Sequence, residues 1–100
     1  MNIQPALEQI TDIVGMPLVQ ETLRKLAMVE AGKYALQMNR VKTELIPFEN
    51  RFRKDSRTAW DEFQSGKLGD DGDIMEWMML FENYLALEKH HKRITEVNFE

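Results

Sequence analysis

The sequence predicts an all-α protein built as a long antiparallel helical hairpin with a short helix at its bend. Three observations lead there. Apolar residues recur at steps of three and four from Ala27 through Ala31, Tyr34, Met38, Val41, Leu45 and Phe48 to Phe52, the seven-residue repeat of a helix that lays one stripe on another helix. A second amphipathic stretch follows a turn rich in Gly and Asp, near residues 66–73. No stretch alternates apolar and polar residues as a strand would.

The elements follow in order. Residues 1–16 read as an N-terminal arm with a short helix over 5–13, where Pro5 suits a first turn and Leu7, Ile10 and Ile13 keep near-helical spacing. Gly15-Met16-Pro17 breaks that helix. The long helix takes 17–54, its stripe reaching back through Met16, Val19 and Leu23. Two residues oppose it. Gly32 costs about 1 kcal/mol relative to Ala. Pro47 removes a backbone hydrogen bond and disfavours helix at Ile46, so a kink is expected there, with the stripe still in register across it.

Asp55-Ser56 begins a short helix over 55–66, with Ser56 accepting its first amides and Ala59, Trp60 and Phe63 on one face. Asp71 or Asp73 caps the last helix, 73–96. Its apolar positions form two rows: Ile74, Met78, Phe81 and Leu85, then Trp77, Leu80, Tyr84, Leu87 and Ile94. Two rows make a face wide enough to be buried on two sides. The hairpin covers one. Pairing with a second copy, as a homodimeric four-helix bundle, is expected to cover the other.

Bulk properties set the frame. One hundred residues make a single domain with a small core. Apolar residues are 43% and charged residues 30%, as in ordered globular chains. The net charge of -4 divides unevenly. Residues 1–23 carry Glu8, Asp12 and Glu21. Residues 24–57 hold nine Lys or Arg against four Asp or Glu, and 58–100 hold four against ten. A basic long helix and an acidic C-terminal half suit an antiparallel hairpin. Without cysteine there is no disulfide framework. No secretion signal or membrane-spanning run is read in the sequence, so a cytoplasmic location is expected.

Residues that suggest chemistry have plainer explanations. Asp70, Asp71, Asp73 and Glu76 lack the spacing of a calcium loop and suit a helix N-terminus. His90 and His91 point about 100° apart on a helix, and adding Glu88 gives too few ligands for a closed metal site. Met75, Met78 and Met79 around Trp77 make a soft apolar cluster of the kind that fills cores. No glycine-rich phosphate loop or cysteine nucleophile occurs, and Ser56 and Ser65, the only serines, lie at helix boundaries. The sequence therefore indicates no enzyme, metal or cofactor.

Arg51, Arg53, Lys54 and Arg57 beside Phe52 form a small basic patch. In an acidic chain without a recognisable binding module it points to acidic groups of this or a partner chain more than to nucleic acid. DNA-binding autoregulation through it is the lesser alternative. Trp60, Phe63, Trp77, Phe81 and Tyr84, with Tyr34, Phe48 and Phe52, are the candidate packing or partner-contact residues, aromatics being frequent interface anchors.

The second half carries a resemblance. Pro47-Phe48-Glu49-Asn50-Arg51-Phe52, Trp60-Asp61-Glu62-Phe63, the turn Gly66-Lys67-Leu68-Gly69-Asp70-Asp71-Gly72-Asp73 and Glu76-Trp77 resemble a group of small all-helical, antitoxin-like proteins of archaea and bacteria. The likeness spans about residues 45–95. It departs from the group at Pro47 and at Arg53–Arg57, where a Tyr-Gly-Met-like corner is expected. It implies a non-catalytic protein that binds and neutralises a small nuclease-like toxin. A self-assembling helical protein with no foreign partner is the alternative.

Overall fold

The computed structural model describes residues 2–99; Met1 and Glu100 lie outside the described residues. Among these there are four helices and no strand: α1 (Gln4–Val14), α2 (Met16–Phe52), α3 (Ser56–Gln64) and α4 (Gly72–Thr95). Side chains that meet across α2 and α4 run in opposite senses. Arg51 meets Asp73, Phe52 meets Trp77, Lys42 lies over Tyr84, and Tyr34 stacks on His90. The hairpin is therefore antiparallel. Its extents are 59 × 23 × 21 Å and its radius of gyration is 19.7 Å, where a compact chain of this length has about 13 Å.

The helix ends follow local chemistry. Gly15 takes φ 93°, a conformation that suits glycine, and so divides α1 from α2 with one residue. α2 then continues as one helix through Pro47. Pro47 sits on the solvent side, while Leu45 is buried and Phe48 and Phe52 pack on the core. Packing on the inner face thus offsets the hydrogen bond that proline removes. Arg53 ends α2 in the left-handed region at φ 53°, with its amide donating to the Glu49 carbonyl, the αL type of helix stop.

At the bend the capping role expected of Ser56 falls to Asp55, whose carboxylate accepts the Thr58 amide at 2.8 Å. Asp55 has the extended backbone that a cap needs, whereas Ser56 is already helical. At the second turn the cap is Asp71, which accepts the Ile74 amide at 3.0 Å.

The core lies in one half of the molecule. Val41 and Leu45 of α2, Ala59 of α3, and Ile74, Trp77, Met78, Phe81, Tyr84 and Leu87 of α4 form one buried cluster. Both rows of α4 are involved. Trp77, Tyr84 and Leu87 from one row and Ile74, Met78 and Phe81 from the other are all buried within the single chain, between α2 and α3. In the second row Trp77 and Tyr84 are met by Phe48, Phe52 and Lys42 of α2, while Leu80 and Ile94 stay half-buried. The short helix covers the other row, where the bend brings Trp60 and Arg57 onto Phe81.

Candidate functional site

The aromatic residues singled out by the sequence come together as the closed half of the molecule. Trp77 is fully buried, stacked between Phe52 (centroids 5.2 Å apart) and Phe48 (6.3 Å) with its ring within 7° of both planes. Phe81 joins Trp60 and Tyr84 at 5.9 and 5.8 Å, and Trp60 tilts against Phe63. Aromatic pairs in such offset geometries are favourable beyond their buried area. Trp60, Phe63, Phe48 and Phe52 are half-buried against this cluster. Tyr34 lies further along the hairpin, stacked on His90 at 5.6 Å.

One polar relay runs through this core. Trp77 Nε1–H donates to Ser56 Oγ at 2.9 Å, and Ser56 donates from Oγ at 2.8 Å and from its amide at 3.0 Å to the same Glu49 carboxylate oxygen. Among the described residues no buried side-chain polar atom lacks a partner. Ser56 and Glu49 touch as a nucleophile and base would, but Ser56 is 3% exposed and its oxygen already receives the indole N–H. The relay locks the bend and offers no access to a substrate. Its sequence signal is the seven-residue separation of Glu49 and Ser56 across a helix stop, which means nothing until the stop is located.

The remaining candidates are engaged inside the chain. Arg51 pairs with Asp73, Lys54 with Glu62, and Arg57 with Glu88 at 3.3 Å. Arg51 and Arg57 also lie over the rings of Phe52 and Phe81. Three of the four basic residues thus hold carboxylates of the same chain. These pairs are exposed or half-exposed and fix orientation more than stability. In the acidic turn Asp71 is a cap and Asp73 holds Arg51. Among the described residues no three His, Asp or Glu side chains are grouped to hold a metal. Asp55 has its carboxyl held below the usual range, first by the Thr58 amide and next by the Thr58 hydroxyl, which is the electrostatics of a helix cap.

The other half is uncovered. α1 buries none of its residues although Leu7, Ile10 and Val14 repeat at helical spacing. In the first 24 residues of α2, up to Asn39, only Val19 and Ala27 are buried. Leu18, Leu26, Val29 and Leu36 share one side of α2, each more than half exposed, with Thr22 and Gly32 between them. Ile10 and Val14 of α1 reach the same side, lining with Leu18, Val19, Thr22 and Leu23 an open apolar groove of about 300 Å³. A larger groove of about 530 Å³ separates the start of α2 from Ile94, Val97 and Phe99. Contiguous apolar surface is uncommon on a folded monomer, and this face is the candidate site. Its signal lay in the row Thr22, Val29, Leu36 at seven-residue spacing, parallel to the buried seam and masked by the stronger pattern beside it.

Set against known protein families, curated proteins and solved structures, the chain matches none. Among the described residues no helix is long and apolar enough to cross a membrane.

Proposed function

We propose that this protein is a non-catalytic, cytoplasmic interaction module that works by presenting an apolar helical face to another protein chain. The observation that carries this reading is the contrast between a closed, polar-satisfied core and the bare face on α1 and the first half of α2. A helix face of this kind docks by helix-in-groove or bundle packing. The resemblance over residues 45–95 extends the proposal to a biological role, that of an antitoxin that neutralises a small nuclease-like toxin. The acidic C-terminal half, with ten Asp or Glu against four Lys or Arg over 58–100, favours a basic partner, as nucleic-acid-acting proteins commonly are.

The test is an affinity-tagged pull-down from the native host with mass spectrometry and light scattering on the eluate. The expected result is a small basic protein recovered in stoichiometric amount. An eluate holding this chain alone removes the antitoxin role. DNA binding through Arg51, Arg53, Lys54 and Arg57 is disfavoured by the carboxylates that hold three of them. A steep salt dependence of duplex binding would restore it.

A further inference from the structure

We propose that the bare face is occupied by a second copy of this chain, paired antiparallel along the first half of α2. The inference rests on the reading of that face as an interaction surface and names its occupant.

The first argument is one of area. The chain exposes 7593 Å². A compact monomer of 11.8 kDa exposes roughly 5,900 Å², so this one carries roughly 1,700 Å² more than its mass requires. A standard interface takes about 800 Å² from each partner, and obligate homodimers take more. The surplus is thus of the size a permanent partner covers. The half with almost no core of its own is the N-terminal one, since among the described residues before Val41 only Val19 and Ala27 are buried. Covering this half is therefore a requirement of the folded chain itself. Another copy is the one partner present wherever the chain is made, and two-fold pairing is the commonest form of such self-covering.

The second argument is one of complementarity. Thr22, Val29 and Leu36 step by seven residues along the bare side, so the row suits packing on its like. A two-fold axis at Val29 sets Thr22 opposite the partner copy's Leu36, and Leu26 opposite its Gly32. Gly32 is otherwise unexplained, because a Cβ there would meet nothing within 4 Å in its own chain. Facing Leu26, it is a recess for a projecting side chain. Antiparallel pairing also sets the acidic segment 1–23, with Glu8, Asp12 and Glu21, alongside the basic stretch that holds Arg40 and Lys42. Parallel pairing sets like charge on like. Lys25 and Lys33 approach each other across the axis, but each holds a carboxylate of its own helix, Glu21 and Glu30.

The absence of cysteine makes the test clean. Light scattering on the purified full chain at micromolar concentration is expected to give twice 11.8 kDa. Val29→Glu is expected to halve that mass with the helical circular dichroism retained, since Val29 is an exposed residue and no core contact is lost. Under mild oxidation Val29→Cys is expected to form a disulfide dimer, because bridging needs Cα atoms within about 7 Å. Leu36→Cys alone is expected not to bridge, whereas a mixture of Leu36→Cys with Thr22→Cys does. Self-bridging of Leu36→Cys as readily as Val29→Cys would overturn the antiparallel arrangement. A monomeric wild-type chain, or an undisturbed Val29→Glu dimer, would overturn the proposal. If a monomeric chain loses a foreign partner on Val29→Glu, only the self-pairing falls. If Val29→Glu changes neither mass nor captured proteins, the face is not an interaction surface and both readings fall.

Discussion

The two ends of the hairpin are both built from amphipathic helices and reach opposite outcomes. From Val41 to Leu87, heptad and aromatic side chains are buried, capped and polar-satisfied within one chain. From Ile3 to Leu36, apolar residues also repeat at helical spacing, but only Val19 and Ala27 are buried, with Ile13 exposed at 81% and Met28 at 68%. Composition separates the halves in one respect, since seven of the nine aromatic residues lie between Val41 and Leu87 and one, Tyr34, between Ile3 and Leu36. Geometry separates them as well: α3 folds back onto α4 and gives the closed half a third wall. The N-terminal end has only α1, joined by a single glycine and packed too loosely to bury any of its own residues. The lesson is that amphipathic periodicity specifies a helix and a face, while the number of walls around that face decides whether it becomes core or interface.

The contrast can be broken most forcefully at Trp77. Trp77→Ala removes a fully buried indole between two phenylalanines and is expected to cost about 3–5 kcal/mol. Equilibrium urea unfolding measures it, and a loss below 1 kcal/mol would mean that this half is not the core. Ser56→Ala comes next. It leaves the Trp77 N–H without its acceptor and Glu49 without the hydroxyl donor, while the bond from the residue-56 amide to Glu49 remains. Removal of a partner from a buried polar group costs about 1–3 kcal/mol. A double-mutant cycle with Trp77→Phe is expected to show coupling.

In the open half the expected effects are smaller and can change sign. Gly32→Ala gains roughly 1 kcal/mol of helix propensity, and its new Cβ meets nothing in its own chain. Thermal melts at high dilution are expected to show that gain. If Gly32 receives a partner's Leu26, the gain shrinks as concentration rises. Ile13→Ser is expected to stay within about 0.5 kcal/mol of the parent in urea, despite removing a large apolar side chain, because that side chain is already in water.

The smallest effect is a pH dependence. Asp55 has a carboxyl lowered in the folded state by the Thr58 amide and hydroxyl. Its stabilising contribution is therefore present above the unfolded carboxylate value of about 3.9 and fades as pH falls through the lower folded value. Asp55→Asn is expected to be less stable than the parent at neutral pH, with the difference closing in acid. A difference that does not change with pH would detach the cap from its charge.

Much of this fold was legible in the sequence, and the illegible parts share a cause. The all-α hairpin, the break at Gly15 and the turn at 66–71 are local consequences of periodicity and glycine chemistry, so they could be read directly. The passage of α2 through Pro47 could be read too, because Leu45, Phe48 and Phe52 keep their spacing across it and pack on the core. The cover that α3 gives to Phe81 of α4 escaped reading. It depends on the angle of the bend, which Arg53, Asp55 and the Glu49–Ser56 bonds fix together. The aromatic residues were read as packing or contact residues without a direction, and they lie in or against the core. The bare row on α2 was hidden by the stronger seam one face away.

That one helix, Met16–Phe52, passes without a break through both regions has a dynamic corollary. Its last three turns are anchored by aromatic packing and act as a preformed nucleus, so the rest needs only propagation. Amide hydrogen exchange along this single element should then fall from slow at 41–52 to fast toward 16–26, a gradient of local opening with no hinge in it. Any chain that covers the outer half will be detected far along the same helix, as protection that climbs toward its N-terminus.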